Sequence, residues 1–372
     1  MKKESLNKKN PQQLSLKIIE ILPPRTQEIV KKRFGLEDNK PQTLEAVGQI
    51  YKITRERVRQ IIESALKAVK KQPIFETIGD FINLSKSLIK ESGGLEEESE
   101  LLIKIDRKLI SEKSVKVAGN LSAIKFLLML DSEFILEEED ESNYGFWHLA
   151  EISKETVNKN IKTLEKYFKD RKTACVLDEI FSWAKNNVSV NMSQEGLQAY
   201  FRISKKIGMN PFGEYGLFSW AEIDPSGARD RAYLVMKHTE QPMHFSEITK
   251  LLNEINKSPI YSRLSSHSWQ KKVCVQTVHN ELIRDSRFVL IGRGIYALKE
   301  RGYKPGKIIN VIQEILKEAG KPLKQEDIIK EVKKRRVAKD NTIILNLHNK
   351  QYFKKLANKN YTLAKPYKIL EV

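Results

Sequence analysis

Between residues 24 and 71 apolar side chains return at helical spacing in three short runs, each with its own start and stop signals. The first follows Pro23-Pro24, where a proline costs nothing because the first N–H groups of a helix have no partner. It carries Ile29, Val30 and Phe34 inward and ends at Gly35-Leu36, a glycine stop with its hydrophobic contact. The second, Thr43 to Tyr51, places Leu44, Val47 and Tyr51 on one face, and Lys52-Ile53 makes a turn. The third begins at Thr54, whose hydroxyl can cap it, and runs towards Lys71. Val58, Ile61, Ile62, Ala65 and Val69 follow the i, i+3, i+4, i+7 pattern of a buried stripe, while Arg55, Glu56, Arg59, Gln60 and Glu63 fall opposite. Two helices joined by a tight turn predict a helix-turn-helix.

From residue 73 onward the pattern changes. Apolar strand pairs around a turn occur at Phe134 to Trp147, Ile203 to Trp220, Phe288 to Leu298 and Phe353 to Leu363, each preceded by helical patterning. A small helical bundle closed by a hairpin is the plan of a winged helix. The last two units echo each other, Gln241-Pro-Met-His-Phe-Ser-Glu-Ile248 against Lys321-Pro-Leu-Lys-Gln-Glu-Asp-Ile328. Their hairpin turns, Gly292-Arg293-Gly294 and Asn358-Lys359-Asn360, use residues that tolerate positive φ, and an extra loop separates Asn256 from Lys272. The expected fold is mainly α with small β wings, an N-terminal helix-turn-helix followed by tandem winged-helix units. The expected boundaries are 12–72 for the helix-turn-helix and 95–150, 151–221, 228–299 and 305–366 for four winged units, with linkers around 72–95, 221–230 and 299–306.

The outer face of the third run has the chemistry of a base reader. A major groove admits an α-helix, where Arg pairs with guanine O6 and N7, Gln with adenine N6 and N7, and Glu with the cytosine amino group. The residues themselves make a closer match. Leu22-Pro-Pro-Arg25, Arg33-Phe-Gly-Leu36, Thr43-Leu-Glu45, Val47-Gly48 and Thr54-Arg-Glu-Arg-Val-Arg-Gln-Ile61 resemble region 4 of primary-type bacterial sigma factors almost position for position. That resemblance covers about 50 residues. It implies base contacts to a minus-35-type promoter element by Arg55, Glu56, Arg59 and Gln60. It also implies phosphate contacts by Arg25, Arg33, Thr43 and Thr54, to which Lys52 and Arg57 are added as neighbouring donors. No aromatic-rich helices of the kind that melt a promoter precede residue 20, so a complete stand-alone sigma factor is not expected here.

The third winged unit, with Thr277-Val-His-Asn-Glu-Leu-Ile283 and Arg287-Phe-Val-Leu-Ile-Gly-Arg-Gly-Ile-Tyr296, resembles the HARE-HTH family over about 70 residues. That family includes the delta subunit of bacterial RNA polymerase and modules attached to restriction and chromatin proteins, which implies work near DNA or polymerase. Where a penultimate helix enters a groove and a wing lies on the backbone, His279, Asn280, Arg284, Arg293, Asn341, Lys354, Lys355 and Lys359 become secondary DNA candidates. The concentrated charge of Lys333-Lys334-Arg335-Arg336 adds another.

Composition sharpens this picture. The formal charge of +18 over 372 residues favours a polyanionic partner. The charge sits at the ends, roughly +9 over residues 1–72 and roughly +11 over 299–372, with the middle near neutral. The apolar stretch Ala123 to Leu136 is interrupted by Lys125, Asp131 and Glu133 and is too short to span a membrane. Cys175 and Cys274 stand far apart without metal-ligand spacing, which together with the lack of a signal peptide suits a reducing cytoplasm. No phosphate loop, HExxH or GxSxG occurs, so neither an enzyme, a cofactor nor a metal is expected. Glu96 to Glu98 and Glu137 to Asp140 are expected to solvate loops.

The leading expectation is a DNA-binding transcription regulator or sigma-like factor whose partners are double-stranded promoter DNA and RNA polymerase core. The same modules also suit a polymerase-binding accessory factor resembling the delta subunit, in which they bind protein rather than specific DNA. A reader of modified DNA tied to a restriction system is a third reading, carried only by the relatives of unit three.

Overall fold

A computed structural model describes residues 10–72, 78–111, 121–188, 192–255, 267–303 and 306–364. The basic start, residues 1–9, and most of the loop expected at 256–272 lie outside the described residues. The chain divides into two compact units, residues 1–208 with 214–217, and residues 209–213 with 218–372.

The first unit opens with α1 (Pro11–Ile19), whose N-terminus is capped by the Asn10 side chain accepting from the Gln12 amide at 3.0 Å. Three helices follow, α2 (Pro24–Phe34), α3 (Leu44–Tyr51) and α4 (Arg55–Lys70). Ile29, Val47, Val58 and Ile62 form the small core between them, flanked by Phe34, Leu44, Tyr51, Ile53 and Ile61. Gly35 ends α2 at φ 61°, and a Cβ there would meet the backbone of Lys40 and Pro41 at 2.6 Å. Glycine is thus required twice over, for the left-handed turn and for the returning chain.

Four repeats of helix, strand, helix, helix, strand, strand follow. The first is α5 (Gly79–Glu91), β1 (Leu95–Glu97), α6 (Glu98–Ser111), α7 (Leu121–Leu130), β2 (Phe134–Glu137) and β3 (Phe146–Leu149). The second is α8 (Lys154–Arg171), β4 (Cys175–Val176), α9 (Leu177–Asn187), α10 (Gln194–Ile203), β5 (Ile207–Met209) and β6 (Glu214–Leu217). The third is α11 (Ala228–Thr239), β7 (Met243–His244), α12 (Phe245–Ile255), α13 (Val275–Arg284), β8 (Phe288–Gly292) and β9 (Ile295–Leu298). The fourth is α14 (Ile308–Ala319), β10 (Leu323–Lys324), α15 (Gln325–Arg335), α16 (Asp340–Leu347), β11 (Phe353–Lys355) and β12 (Asn360–Leu363). In every repeat the last strand lies at the centre of a three-stranded sheet, orders β1-β3-β2, β4-β6-β5, β7-β9-β8 and β10-β12-β11. This connectivity is consistent with winged units after a helix-turn-helix, in a mainly helical chain with small antiparallel sheets.

One helix stands where the sequence pattern indicates a linker. The stretch 72–95, expected as a linker, holds α5, so the first repeat begins near Gly79 rather than at residue 95. Its Phe81, Ile82 and Ile89 are buried in the same core that takes Leu14, Ile18 and Ile19 of α1. That core also contains Val30, Leu36, Ala65 and Val69 from the second apolar face of the helix-turn-helix. Its centre is α7, where Ala123, Ile124, Phe126, Leu127, Leu128 and Leu130 are all buried. Phe126 meets Phe34 with ring centroids 5.1 Å apart. The helix-turn-helix and the first repeat therefore share one interior.

The acidic run Glu96 to Glu98 does not solvate a loop. Glu96 and Glu97 lie in β1 and are buried, with Glu96 fully shielded from solvent. A buried carboxylate persists only when paired, and here Arg202 of α10 clasps Glu96 through Nε at 2.8 Å and Nη2 at 2.7 Å. Lys104 Nζ adds a bond at 2.7 Å and the Ser92 hydroxyl another at 3.0 Å. Glu195 closes the network on Lys104 at 2.6 Å and on Arg202 at 2.9 Å. The first and second repeats are joined by this network and by a bridge from Asn143, in the hairpin loop between β2 and β3, to Ser204.

Candidate nucleic-acid interface

The turn between α3 and α4 is built on close backbone approach. Lys52 takes φ 53°, and the Ile53 amide donates to the Gly48 carbonyl at 2.9 Å. A Cβ on Gly48 would sit 2.7 Å from the Ile53 carbonyl oxygen. Gly48→Ala is therefore expected to cost about 1–3 kcal/mol through a forced backbone shift. Hydrogen exchange across α3 and α4 reads this directly; protection equal to wild type would show that the turn absorbs the methyl group.

Thr54 caps α4 by accepting from the Arg57 amide at 3.2 Å, and Thr43 caps α3 by accepting from the Ala46 amide at 3.1 Å. The buried side of α4 is Val58, Ile62, Ala65 and Val69, so Arg55, Glu56, Arg59 and Gln60 are exposed on its first two turns. The four expected readers are thus brought together on one face. They also hold one another. Arg59 forks Glu56 through Nε at 2.9 Å and Nη2 at 2.7 Å, and its Nη1 pairs with Glu63. Arg57 Nη1 reaches the Gln60 Oε1 at 3.2 Å. The hydrogen bond from Arg59 lowers the Glu56 carboxyl below its ordinary range, and the same bond raises the guanidinium. Both stay ionised at neutral pH, as an arginine donor and a carboxylate acceptor of base contacts must be.

The expected phosphate contacts are in different states. Lys52 is exposed at the turn. Thr43 and Thr54 use their hydroxyl oxygens as cap acceptors, which leaves each hydroxyl proton for a phosphate oxygen at a helix N-terminus. Arg25 and Arg33 are engaged with backbone, Nη2 to the Tyr51 carbonyl at 3.3 Å and Nη1 to the Gln42 carbonyl at 2.8 Å. Arg33 is half-buried and braces the loop ahead of α3, while Arg25 is exposed.

The secondary candidates are less uniform. Each member of the basic cluster has an internal partner: Lys333 with Asp340 at 2.5 Å, Lys334 with Glu331 at 2.6 Å, Arg335 with Glu318 at 2.7 Å, and Arg336 with the Gly306 carbonyl. Arg293, Lys354, Lys355 and Lys359 are exposed. Lys359, rather than either asparagine of that turn, takes positive φ at 57°. Asn280 and Arg284 on α13 and Asn341 on α16 are exposed, whereas His279 is half-buried and packs on Phe245, ring centroids 4.4 Å apart. Missing from the sequence expectations are Val275, Ile283 and Leu290, exposed apolar side chains of α13 and β8 at 45%, 63% and 47%. The spacing of Val275 and Ile283, eight residues apart on one helix, was the available signal.

Among the described residues no group of His, Cys, Asp and Glu is placed to hold a metal ion, and no helix is long and apolar enough to cross a membrane.

Comparison with known proteins finds similarity in the N-terminal part. Residues 18–71 match the family model of sigma-70, region 4. The RNA polymerase sigma factor SigA of Clostridium acetobutylicum is 38% identical over 68 residues, 18% of this chain and 18% of that protein. SigA of Nostoc sp. (strain PCC 7120) is 43% identical over 54 residues, 14% of each chain, and SigA of Microcystis aeruginosa 42% over 53 residues, 14% of this chain and 13% of the relative. The chain thus spans less than a fifth of the length of these curated relatives. Residues 18–71, with the exposed face of α4 that they include, are similar to sigma-70 region 4.

Proposed function

We propose that this protein binds double-stranded promoter DNA through α4, reading a minus-35-type element with Arg55, Glu56, Arg59 and Gln60. The observation that carries the reading is their joint exposure on the first two turns of a helix whose opposite face is locked into a core. The sigma-70 region 4 match covers all four positions. Arg25, Arg33, Thr43, Lys52, Thr54 and Arg57 position the helix on the backbone, Arg33 by bracing the loop ahead of α3. The protein acts in transcription without catalysis of its own, with RNA polymerase core as a further partner.

The experiment is selection of bound sequences from a random duplex pool by the full-length protein, repeated with Arg55, Glu56 and Gln60 changed to alanine. A recovered motif that the triple variant loses supports base reading. Each lost bidentate contact of Arg55 or Gln60 is worth about 1–3 kcal/mol, or roughly 5- to 150-fold in discrimination. Recovery of no motif by wild type removes the reading.

A second reading, the winged units as protein-binding modules on polymerase, is favoured by one observation. The third, HARE-HTH-like repeat exposes large apolar side chains, Val275 and Ile283 on α13 and Leu290 on β8, beside the single exposed cation Arg284 on that helix. Co-purification with polymerase core that persists at high salt and is lost in Ile283→Asp supports it; retention in that variant counts against it.

A further inference from the structure

The near-neutral middle of the chain conceals a concentrated cationic surface on α8. Lys159, Lys162, Lys166 and Lys169 are spaced three, four and three residues apart, which places them within an arc of about 80° along about 15 Å of helix. All four are exposed. The opposite side of the helix is fixed by burial of Val157, Ile161, Leu164 and Phe168, so the stripe cannot turn inward.

Cations at both ends of the same helix find partners. Lys154 bonds Glu137 at 2.6 Å, and Arg171 pairs with Glu179. The central carboxylate, Glu165, is buried and faces Lys206 at 3.4 Å instead of the stripe. Glu155 lies at the N-terminal edge, bonded to the Ser153 hydroxyl and to its own amide, and Asp170 at the C-terminal edge is exposed. Among the described residues none of the four lysines has an ion-pair partner within 4.0 Å. Like charges at i, i+3 and i, i+4 lower helix stability by a few tenths of a kcal/mol per pair, which makes an unbroken lysine stripe an unfavourable way to solvate a helix. A polyanion reverses that sign.

We propose that this face of α8 is a second DNA surface, binding backbone phosphates of the duplex without reading sequence. The proposal rests on the DNA-binding reading above. About 15 Å of duplex axis carries about nine phosphate charges over both strands, so four lysines in a line meet complementary charge along their whole length. The mode differs from insertion of a third helix into a groove, which the second repeat cannot use, because Leu197, Ala199, Tyr200, Phe201 and Ile203 of α10 are buried.

The test is the full-length protein with Lys159, Lys162, Lys166 and Lys169 all changed to Gln, a residue of similar helix propensity. Binding is measured against salt on a random-sequence duplex and on the selected duplex. The expected result is weaker binding to both by the same factor, with the slope of log Kobs against log salt shallower by up to about 3 to 4. The preference for the selected duplex is unchanged, and the melting temperature is not lowered, since three like-charge pairs are relieved. An unaltered slope overturns the proposal, and so does loss of polymerase co-purification with DNA binding intact. If wild type binds the two duplexes equally but loses slope in the variant, base reading fails while the α8 surface stands. If preference is present and the slope does not move, the reverse holds.

Discussion

Arg202→Ala should destabilise the first unit by about 3–5 kcal/mol, because it leaves a fully buried carboxylate facing a single cation. Glu96 would keep Lys104 at 2.7 Å, but Lys104 is shared with Glu195 at 2.6 Å, so two acids would compete for one base. The double variant Glu96→Leu with Arg202→Leu removes one charge of each sign and leaves the Lys104–Glu195 pair matched. It should lose less stability than Arg202→Ala alone, and a chemical-unfolding cycle through the single and double variants reads the coupling. Additive losses would mean that the two residues contribute only packing. The network also sets an acid limit. Burial alone would raise the Glu195 carboxyl, but Lys104 and Arg202 hold it below its ordinary range. A depressed carboxyl contributes stability that is complete at neutral pH and lost as pH falls through its folded-state value. Wild type should therefore lose stability below the ordinary carboxylate range more steeply than Arg202→Ala, in which that depression is weakened.

Phe126→Ala should cost about 3–5 kcal/mol as a large-to-small change at a fully buried ring, and its consequence should appear at a distance. Phe126 belongs to α7 of the first repeat yet packs on Phe34 of α2. The cavity therefore loosens the seat of the helix-turn-helix while leaving α4 and its side chains chemically intact. Amide exchange in α2 and α4 should accelerate, and DNA affinity should fall with the selected motif unchanged. Phe126→Leu, which keeps most of the volume, should recover most of both. If exchange rises only in the first repeat, the helix-turn-helix is stable without it.

This sharing of one interior also decides what the first two repeats can do. In a winged unit the third helix is the element offered to a groove. In the first repeat that helix is α7, with six of its ten side chains buried. In the second it is α10, and the hairpin loop of the first repeat pairs with the chain just after α10 at Asn143 and Ser204. Both are occupied within the first unit. By contrast, α13 and α16 bury only two residues each, Val278 and Leu282, and Ile343 and Leu347.

Much of the helix-turn-helix was legible in the sequence because its signals are local. Proline at the start of α2, glycine at its end, threonine caps at Thr43 and Thr54, and a 3.6-residue apolar period act within a few positions of themselves. The same period assigns Arg55, Glu56, Arg59 and Gln60 to the outer face, since a helix with one buried stripe has only one other side. Turn residues marked the hairpins of the third and fourth repeats for the same reason, but not the first strand of any sheet. Tertiary structure alone decided the rest. The stretch holding α5 looks like a linker until Phe81 and Ile89 meet the core that also takes Ile18 of α1. Glu96 reads as solvated loop until Arg202, 106 residues later, arrives beside it. The near-neutral sum of the middle segment hides the α8 stripe, since nearby acids such as Glu137, Glu165 and Glu179 face other cations, Lys154, Lys206 and Arg171. Caps, turns and helical faces depend on neighbours in sequence, whereas burial and ion pairing depend on which distant segments share an interior, and that is a property of the fold.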